Sequence, residues 1–316
     1  MKIFITRKIP NAGIKKLKNA GYTVDVFEED RSITNDEILS RGASADALLT
    51  LLTDKITPEI IDSLPNLKII SNYAVGFNNI DVAHAKHKNV VVTNTPDILT
   101  YATAELAVSL VLACARKVIP AERYTREGKF DGWKPELFLG MELFGKTVGI
   151  VGAGRIGFHT ARILKAFGTE ILYFSRNPKS YFEKKLSATK VSLEDLVAKS
   201  DIISLHVPLN DSTFHLLNRE ILAKVKQGAI IVNTARGEVI DEIALIEKLN
   251  SGEISAAGLD VFENEPDIRP ELFTAPNVVM LPHIGSATTE ARSNMAELCA
   301  DNIIAVLSGK SPLTPV

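Results

Sequence analysis

Residues 152–157, with the sequence GAGRIG, constrain the fold most strongly, because they separate a short β-rich run at 148–151 from a helical pattern. A turn of this kind needs Gly152 for its tight bend and Gly154 for the close approach of the backbone to a ligand. It needs Gly157 so that the helix can pack closely on the strand. The strand before the turn and the helix after it therefore predict a dinucleotide-binding site.

The same motif predicts how the dinucleotide is held. The backbone amides of Arg155 and Ile156 lie at the N-terminus of the helix, where they favour a phosphate group. The next strand ends at Ser175 and Arg176, where an NAD site usually has a carboxylate that binds the ribose hydroxyls. A hydroxyl and a guanidinium, with Lys179 nearby, suit a 2′-phosphate instead. We therefore predict a preference for NADP(H), with NAD(H) as a second cofactor; the alternative is that Arg176 is a solvated loop charge.

Short β-rich runs alternate with helical patterns along the whole chain. We predict strands at 3–6, 22–27, 47–52, 67–71, 89–93, 148–151, 170–174, 201–207, 229–233, 256–261 and 278–281. Helical patterns at 14–20, 34–41, 101–115 and 288–307 stand among them, and a further helix begins at Pro58 with Thr57 as its N-cap. The nearly apolar pattern at 101–115 predicts a buried helix, and 128–145 an ordered loop. This alternation predicts α/β architecture with doubly wound parallel sheets.

Composition excludes several other classes of protein. The chain has 316 residues, of which 46% are hydrophobic, and 36 basic residues nearly balance 38 acidic ones. A disordered chain is excluded, and nothing favours broad electrostatic binding to nucleic acid or an anionic membrane. Two cysteines cannot build a disulfide framework, and the first residues reach a charge pair too early for a signal peptide. We expect two domains and a cytoplasmic location.

Three later strands end in polar residues that stand out from their apolar surroundings. Arg236 follows the strand at 229–233, Glu265 follows 256–261, and His283 follows 278–281. The carboxyl ends of parallel strands in a doubly wound sheet lie beside the bound dinucleotide, so we expect these side chains there. Taken singly, each has a simpler explanation: a surface ion pair, a solvated carboxylate and a satisfied buried histidine. Together, behind a dinucleotide motif, they predict a catalytic group.

The three residue types suit the reduction of a 2-keto acid. A guanidinium at Arg236 can bind the carboxylate and polarise the adjacent carbonyl. As a hydride reaches the carbonyl carbon, the oxygen gains negative charge, and a protonated imidazole at His283 can supply the proton near neutral pH. A carboxylate at Glu265 would favour the charged imidazole and fix its orientation.

The other histidines are predicted to take no part in the chemistry. His84 and His87 share one face of a helix but lack further ligands nearby, so no metal site is predicted. His206 and His215 flank Pro208 and are expected to border the dinucleotide site without reacting.

Taken together, these residues resemble the D-2-hydroxyacid dehydrogenase family. The resemblance spans nearly the whole chain and rests on 72–81 (NYAVGFNNID), 93–96 (TNTP), the glycine loop, 234–237 (TARG), 258–262 (GLDVF) and 282–286 (PHIGS). Residues 133–135 (WKP), Leu139-Gly140 and Ser175-Arg176 resemble its glyoxylate/hydroxypyruvate reductase branch. Glu265, where the formate dehydrogenase branch has glutamine, departs from that branch, and Ser175 departs from the NAD-specific D-lactate and phosphoglycerate branches.

The resemblance implies a role for each matching residue. Arg236 would orient the substrate, Glu265 would be the partner carboxylate and His283 the acid. The substrate would be bound by Leu52, Val75, Gly76, Arg236 and His283. The dinucleotide would be bound by Thr103, Gly152, Ala153, Gly154, Arg155, Ile156, Gly157, Ser175, Arg176, Asn177, Pro208, Thr234, Ala235, Arg236, Asp260, His283 and Gly285.

The resemblance also implies the architecture and the activity. A smaller, flavodoxin-like substrate domain would comprise 1–98 and 287–316, with a Rossmann cofactor domain inserted at 99–286. The protein would be a homodimer that reduces glyoxylate to glycolate and hydroxypyruvate to D-glycerate with NADPH. Two alternatives remain open: reduction of another 2-keto acid, for instance of the phenylpyruvate type, and a dinucleotide-sensing binding protein like the family's transcriptional corepressors.

Overall fold

The computed structural model describes all residues from 1 to 316. The chain divides into two units: unit 1 comprises residues 1–99 and 286–316, and unit 2 comprises residues 100–285. Each unit is built around one parallel sheet.

Unit 1 contains a five-stranded sheet in the order β2-β1-β3-β4-β5, which is the flavodoxin-like order. Its strands are β1 (Lys2–Ile5), β2 (Thr23–Val26), β3 (Ala47–Thr50), β4 (Ile69–Asn72) and β5 (Val91–Thr93). Its helices are α1 (Asn11–Asn19), α2 (Asn35–Gly42), α3 (Pro58–Asp62), α4 (Val82–His87) and, at the other end of the chain, α13 (Thr289–Leu307).

The last helix completes the core of unit 1. It packs against α1 and β4, and its side chains Met295, Cys299 and Ile303 are fully or almost fully buried. The approach to α1 is so close that a Cβ added at Gly13 would lie 2.4 Å from the carbonyl oxygen of Ala296. Both faces of the sheet are therefore covered, as a parallel sheet requires.

Unit 2 contains a seven-stranded sheet in the order β12-β11-β10-β9-β6-β7-β8, which extends the Rossmann order. Its strands are β6 (Thr147–Val151), β7 (Glu170–Phe174), β8 (Thr189–Lys190), β9 (Ile202–Leu205), β10 (Ala229–Asn233), β11 (Ile254–Leu259) and β12 (Val278–Met280). Its helices are α5 (Thr100–Ala115), α6 (Val118–Arg126), α7 (Arg155–Lys165), α8 (Ser180–Leu186), α9 (Leu193–Lys199), α10 (Arg219–Leu222), α11 (Glu242–Asn250) and α12 (Pro270–Thr274).

These elements confirm the predicted α/β class with two parallel sheets. Helix α5 buries residues on most of its surface and packs on α7, β10 and β11, as its nearly apolar sequence indicates. Every predicted strand is present: the strands at 170–174 and 229–233 have the predicted bounds, and the others differ by one or two residues at an end. None of the helices combines the length and the apolar character that crossing a bilayer requires.

Three local features differ from the sequence analysis. Strand β8 was not expected, because it has two residues and both are exposed. Thr57 does precede helix α3, with Pro58 in the first helical position, but its side chain makes no capping hydrogen bond. The helical pattern after the glycine loop predicts a helix that runs to Phe167 and stops at Gly168; α7 ends two residues earlier, at Lys165, and the chain turns at Gly168 with φ +79°.

Candidate active site

The glycine loop of unit 2 has the geometry that its sequence indicates. Gly152 has φ +103°, and a Cβ there would lie 2.5 Å from the carbonyl oxygen of His206. A Cβ at Gly157 would lie 2.3 Å from the carbonyl oxygen of Gly152, so the helix packs directly on the turn. A Cβ at Gly154 would meet nothing within 4 Å. The first and third glycines are thus required by the fold, whereas the second leaves open space for a ligand.

The start of α7 fits the phosphates of a dinucleotide. Gly154 is the N-cap, and no side chain caps the helix, so the positive end of the helix dipole is left for an anion. The hydroxyl of Tyr181 donates to the carbonyl oxygen of Ala153 at 2.7 Å and so holds the loop from the side. Sequence reasoning missed Tyr181, because nothing in its spacing links it to the loop.

The end of β7 carries no carboxylate. The hydroxyl of Ser175 donates to the carbonyl oxygen of Asn177 at 2.6 Å, which closes a tight turn there. The side chains of Arg176 and Asn177 are exposed, and Lys179 is half-buried. This turn therefore offers cations and a hydroxyl at the place where the ribose of a dinucleotide is expected.

Arg236 follows β10 and is held by its neighbours. Its Nη1 donates to the carbonyl oxygen of Ala235 at 2.7 Å, and the side chain of Asn233 donates to the carbonyl oxygen of Arg236 at 2.8 Å. Burial lowers the pKa of the guanidinium, and the charges of Glu265 and Glu238 oppose that shift. The group is therefore a partly desolvated cation beside a carboxylate.

The loops after β10 and β11 touch each other. A Cβ at Gly237 would lie 1.9 Å from the carbonyl carbon of Phe262, so only glycine fits there. This contact brings the segment that carries Arg236 next to the segment that carries Glu265.

Glu265 and His283 form a hydrogen-bonded pair. Oε2 of Glu265 lies 2.8 Å from Nδ1 of His283, and Oε1 accepts the backbone N–H of Phe262 at 2.9 Å. Burial raises the pKa of Glu265, but the hydrogen bond and charge of His283, the Phe262 amide and the charge of Arg236 outweigh it, so the pKa is lower than usual. Nε2 of His283 makes no hydrogen bond within the protein. The pair thus leaves one ring nitrogen available to a ligand.

Asp260 fixes the turn that carries His283. Its two carboxylate oxygens accept the backbone amides of Ile284 at 2.7 Å and Gly285 at 2.8 Å. The hydroxyl of Thr103 donates to the carbonyl oxygen of Gly285 at 3.0 Å. His283 itself has φ +52°, a left-handed conformation that this turn stabilises. Asp260 and Thr103, which we expected at the dinucleotide, thus bind the backbone N–H and the backbone carbonyl of the same residue, Gly285.

Thr234 and His206, which follow strands β10 and β9, differ in their hydrogen bonding. The hydroxyl of Thr234 is buried and has no partner within the protein. His206 contacts the hydroxyl of Ser204 at 2.9 Å, and burial lowers the pKa of His206 to about 3, so its ring is neutral at physiological pH. His206 is therefore no source of a proton, whereas Thr234 offers an unused hydroxyl.

A cluster of charged residues that sequence reasoning missed is centred on Glu263. Glu263 binds both Nε2 of His215 at 2.8 Å and the guanidinium of Arg269 at 3.1 Å. The carboxylate of Glu242 accepts the backbone N–H of Glu263. The acidic residues 241–242 are adjacent in the sequence, but no periodic pattern there indicates that Glu242 contacts residue 263.

The predicted substrate residues of unit 1 lie at the carboxyl ends of two neighbouring strands. Leu52 follows β3, and Val75 and Gly76 follow β4; all three are half-buried. The backbone amides of Val75 and Gly76 make no hydrogen bond within the protein. Two adjacent free amides can bind a carboxylate.

The two sheets, the glycine loop and the Glu265–His283 pair define the class of protein: an NAD(P)-dependent dehydrogenase. Residues 108–285 match the family described as D-isomer specific 2-hydroxyacid dehydrogenase, NAD binding domain. The chain belongs to this family.

Relatives match over the whole length. The chain is 49% identical to glyoxylate reductase from Thermococcus kodakarensis, over 100% of this chain and 96% of that protein. A crystal structure of a Thermus thermophilus protein superposes with a TM-score of 0.95 at 41% identity and covers 100% of both chains. The NADPH-dependent glyoxylate/hydroxypyruvate reductase from Sinorhizobium meliloti, solved with NADP and malonate, superposes with a TM-score of 0.89 at 33% identity, over 100% of this chain and 96% of that one.

Proposed function

We propose that this protein reduces glyoxylate to glycolate and hydroxypyruvate to D-glycerate, with NADPH as the preferred cofactor. The observation that carries the proposal is the Glu265–His283 pair at 2.8 Å beside the desolvated Arg236, at the carboxyl ends of the strands in unit 2. The full-length similarity to glyoxylate reductases supports the choice of substrate. In this proposal unit 2 binds the dinucleotide and unit 1 contributes to substrate binding.

Each residue has a separate role in the proposed reaction. The dinucleotide supplies the hydride when it is bound. Arg236 binds the substrate carboxylate and polarises the neighbouring carbonyl, with further hydrogen bonds from the amides of Val75 and Gly76 and apolar contact from Leu52. Protonated His283 gives its Nε2 proton to the carbonyl oxygen as that oxygen gains charge, and Glu265 stabilises the charged ring beforehand. A keto acid that gains one hydride and one proton becomes a hydroxy acid.

The preference for NADPH rests on the turn after β7. Ser175 and the exposed Arg176 stand where a carboxylate would repel a 2′-phosphate. The Sinorhizobium meliloti relative was solved with NADP, which supports the same preference here. Replacing Arg176 with alanine should reduce the NADPH/NADH ratio of kcat/KM by about 10-fold or more, the factor of a lost charge-assisted hydrogen bond. The variant Lys190→Ala, at the exposed edge strand, is the matched loss of a cation. An unchanged ratio in Arg176→Ala would refute the assignment.

One panel tests the activity directly. Glyoxylate, hydroxypyruvate, pyruvate and phenylpyruvate are assayed separately with NADPH and with NADH. We expect the first two acids to give the highest kcat/KM, and a higher rate with phenylpyruvate would replace the proposed substrate. The variant His283→Ala should lose turnover while it keeps NADPH binding, measured by fluorescence of the reduced nicotinamide. Binding of the dinucleotide without turnover of any acid would favour a sensing protein instead.

We further propose that the protein is a homodimer. The loop between α6 and β6 exposes large apolar side chains that a second copy would cover: Phe130, Trp133, Leu139 and Phe144 are each 60% exposed or more. Size-exclusion chromatography with light scattering should give twice the mass of 34.4 kDa. The variant Trp133→Glu should shift the protein toward the monomer, because it adds a charge to this surface. A monomeric wild-type protein would overturn the proposal. The cytoplasmic location stays a prediction.

A further inference from the structure

The peptide groups that carry the free amides of Val75 and Gly76 are each held from their opposite side. The backbone N–H of Thr95 donates to the carbonyl oxygen of Ala74 at 2.8 Å. The side-chain amide of Asn94 donates to the carbonyl oxygen of Val75 at 2.7 Å. In a planar trans peptide the N–H points away from the C=O, so each of these bonds fixes the direction of the next amide. Thr95 thus orients the N–H of Val75, and Asn94 orients the N–H of Gly76.

Two further asparagines hold the far end of the same loop. The side chain of Asn72 donates to the carbonyl oxygen of Gly76 at 2.9 Å and lies 3.2 Å from the side chain of Asn79. Asn79 in turn donates to the carbonyl oxygens of Leu51 at 3.1 Å and Asp54 at 2.9 Å. The loop after β4 is therefore tied to the loop after β3, which carries the predicted substrate contact Leu52.

Asn94 is held independently of the loop that it orients. Its backbone carbonyl accepts the hydroxyl of Thr314 at 2.7 Å, and Thr314 is itself held by Asn302 of helix α13. The side chain of Asn94 is almost fully buried, at 8% exposure. A donor that is fixed in this way determines the direction of its acceptor, because the carbonyl of Val75 has no other hydrogen-bond partner within the protein.

We propose that Asn94 is a positioning residue for substrate: it aims the amide of Gly76 at the carboxylate of the 2-keto acid. This inference rests on the proposed function, which assigns that carboxylate to the amides of Val75 and Gly76. The role requires a side chain that donates a hydrogen bond at this distance. Aspartate has the same shape as asparagine, but its carboxylate can only accept and would repel the carbonyl oxygen of Val75.

The variant Asn94→Asp tests the proposal. With glyoxylate and saturating NADPH, kcat/KM should fall by about 10- to 100-fold, mainly through a higher KM, because a charge-assisted hydrogen bond to the substrate is misdirected. With glycolaldehyde, which has the carbonyl but no carboxylate, the same variant should retain kcat/KM within about 2-fold. The KM for NADPH should not change. The matched control is Asn277→Asp, where the lost side-chain donor also binds a backbone carbonyl, that of Ser255 at 3.1 Å, at the amino end of β12.

A binding measurement makes the test independent of turnover. Calorimetric titration of the NADPH-saturated enzyme with oxalate, an unreactive carboxylate analogue of glyoxylate, should show about 10- to 100-fold weaker binding to Asn94→Asp than to wild type or Asn277→Asp. Equal losses with glyoxylate and glycolaldehyde would make Asn94 a structural residue only, and unchanged oxalate affinity would overturn the proposal. If wild type failed to reduce glyoxylate, the proposed function would fail, while the oxalate affinities would still decide the role of Asn94.

Discussion

Replacing Glu265 with glutamine removes the negative charge beside His283 but keeps the size of the side chain. In the wild-type protein, the charge and hydrogen bond of His283 lower the pKa of Glu265. Because this coupling is mutual, the Glu265 carboxylate stabilises the charged imidazole by the same amount. The variant should therefore stabilise the charged imidazole less than the wild type does.

The geometry sets the size of the effect. At the 2.8 Å that separates Oε2 from Nδ1, two unit charges attract by about 1.5 kcal/mol in bulk water and about 6 kcal/mol at the dielectric constant typical near a protein surface. The side chains are 26% and 30% exposed, so solvent screening keeps the value near the lower end. An attraction of about 1.4 to 2.7 kcal/mol between the two charges corresponds to a displacement of the pH dependence of activity by about 1 to 2 pH units.

The assay is the pH dependence of kcat for the reduction of hydroxypyruvate. Reduction needs the charged imidazole, so activity falls as pH rises, and this alkaline limb should move about 1 to 2 pH units lower in Glu265→Gln. At a pH above the alkaline limbs of both proteins, the kcat of the variant should be about 10- to 100-fold lower than that of the wild type. At a pH below both of these limbs, the two kcat values should be similar. Oxidation of D-glycerate needs the neutral imidazole, so its acid limb should move in the same direction. An alkaline limb that stays in place while kcat falls equally at every pH would refute the reasoning.

Two further predictions concern the stability of unit 1, followed by urea unfolding. Gly13→Ala should lower the free energy of unfolding by about 1–3 kcal/mol, because the added Cβ would lie 2.4 Å from the backbone oxygen of Ala296. The control is Gly42→Ala, whose Cβ would meet only side chains at 3.5 Å or more. Equal unfolding midpoints for the two variants would contradict the prediction. Thr288→Ala should lower the free energy of unfolding by about 1 kcal/mol, because the hydroxyl caps α13 by accepting the N–H of Ala291. Thr57→Ala should lower it less, since Thr57 makes no capping bond. A larger loss of stability in Thr57→Ala would show that the caps are misassigned.

The arrangement of both sheets could be predicted from the sequence, because a buried parallel strand must be an apolar run. Residues 47–50 and 229–233 are fully buried strands for this reason. The edge strand Thr189–Lys190 could not be predicted, since two exposed polar residues carry no such signal. The bounds of helices depend on caps, and a capping residue type such as Thr57 does not ensure that the bond forms.

The candidate site was predictable only in part. Arg236, Glu265 and His283 stand out because polar residues follow apolar strands, and neighbouring parallel strands end at the same edge of the sheet. The bonds that orient this site and the loops of unit 1 join a side chain to a distant backbone group, as Asp260 does with Ile284 and Asn94 with Val75. Such bonds follow no periodicity, and their partners become evident only when the fold brings them together.

The split of unit 1 has a consequence for synthesis. Helix α13 covers β4 and α1, and the ribosome makes it only after residues 100–285. Until it emerges, the nascent sheet of residues 1–99 presents an uncovered apolar face, while residues 100–285 are already available to fold around their own core. We therefore expect the order of folding to reverse the order of translation, with the domain in the middle of the chain complete before the one that begins it.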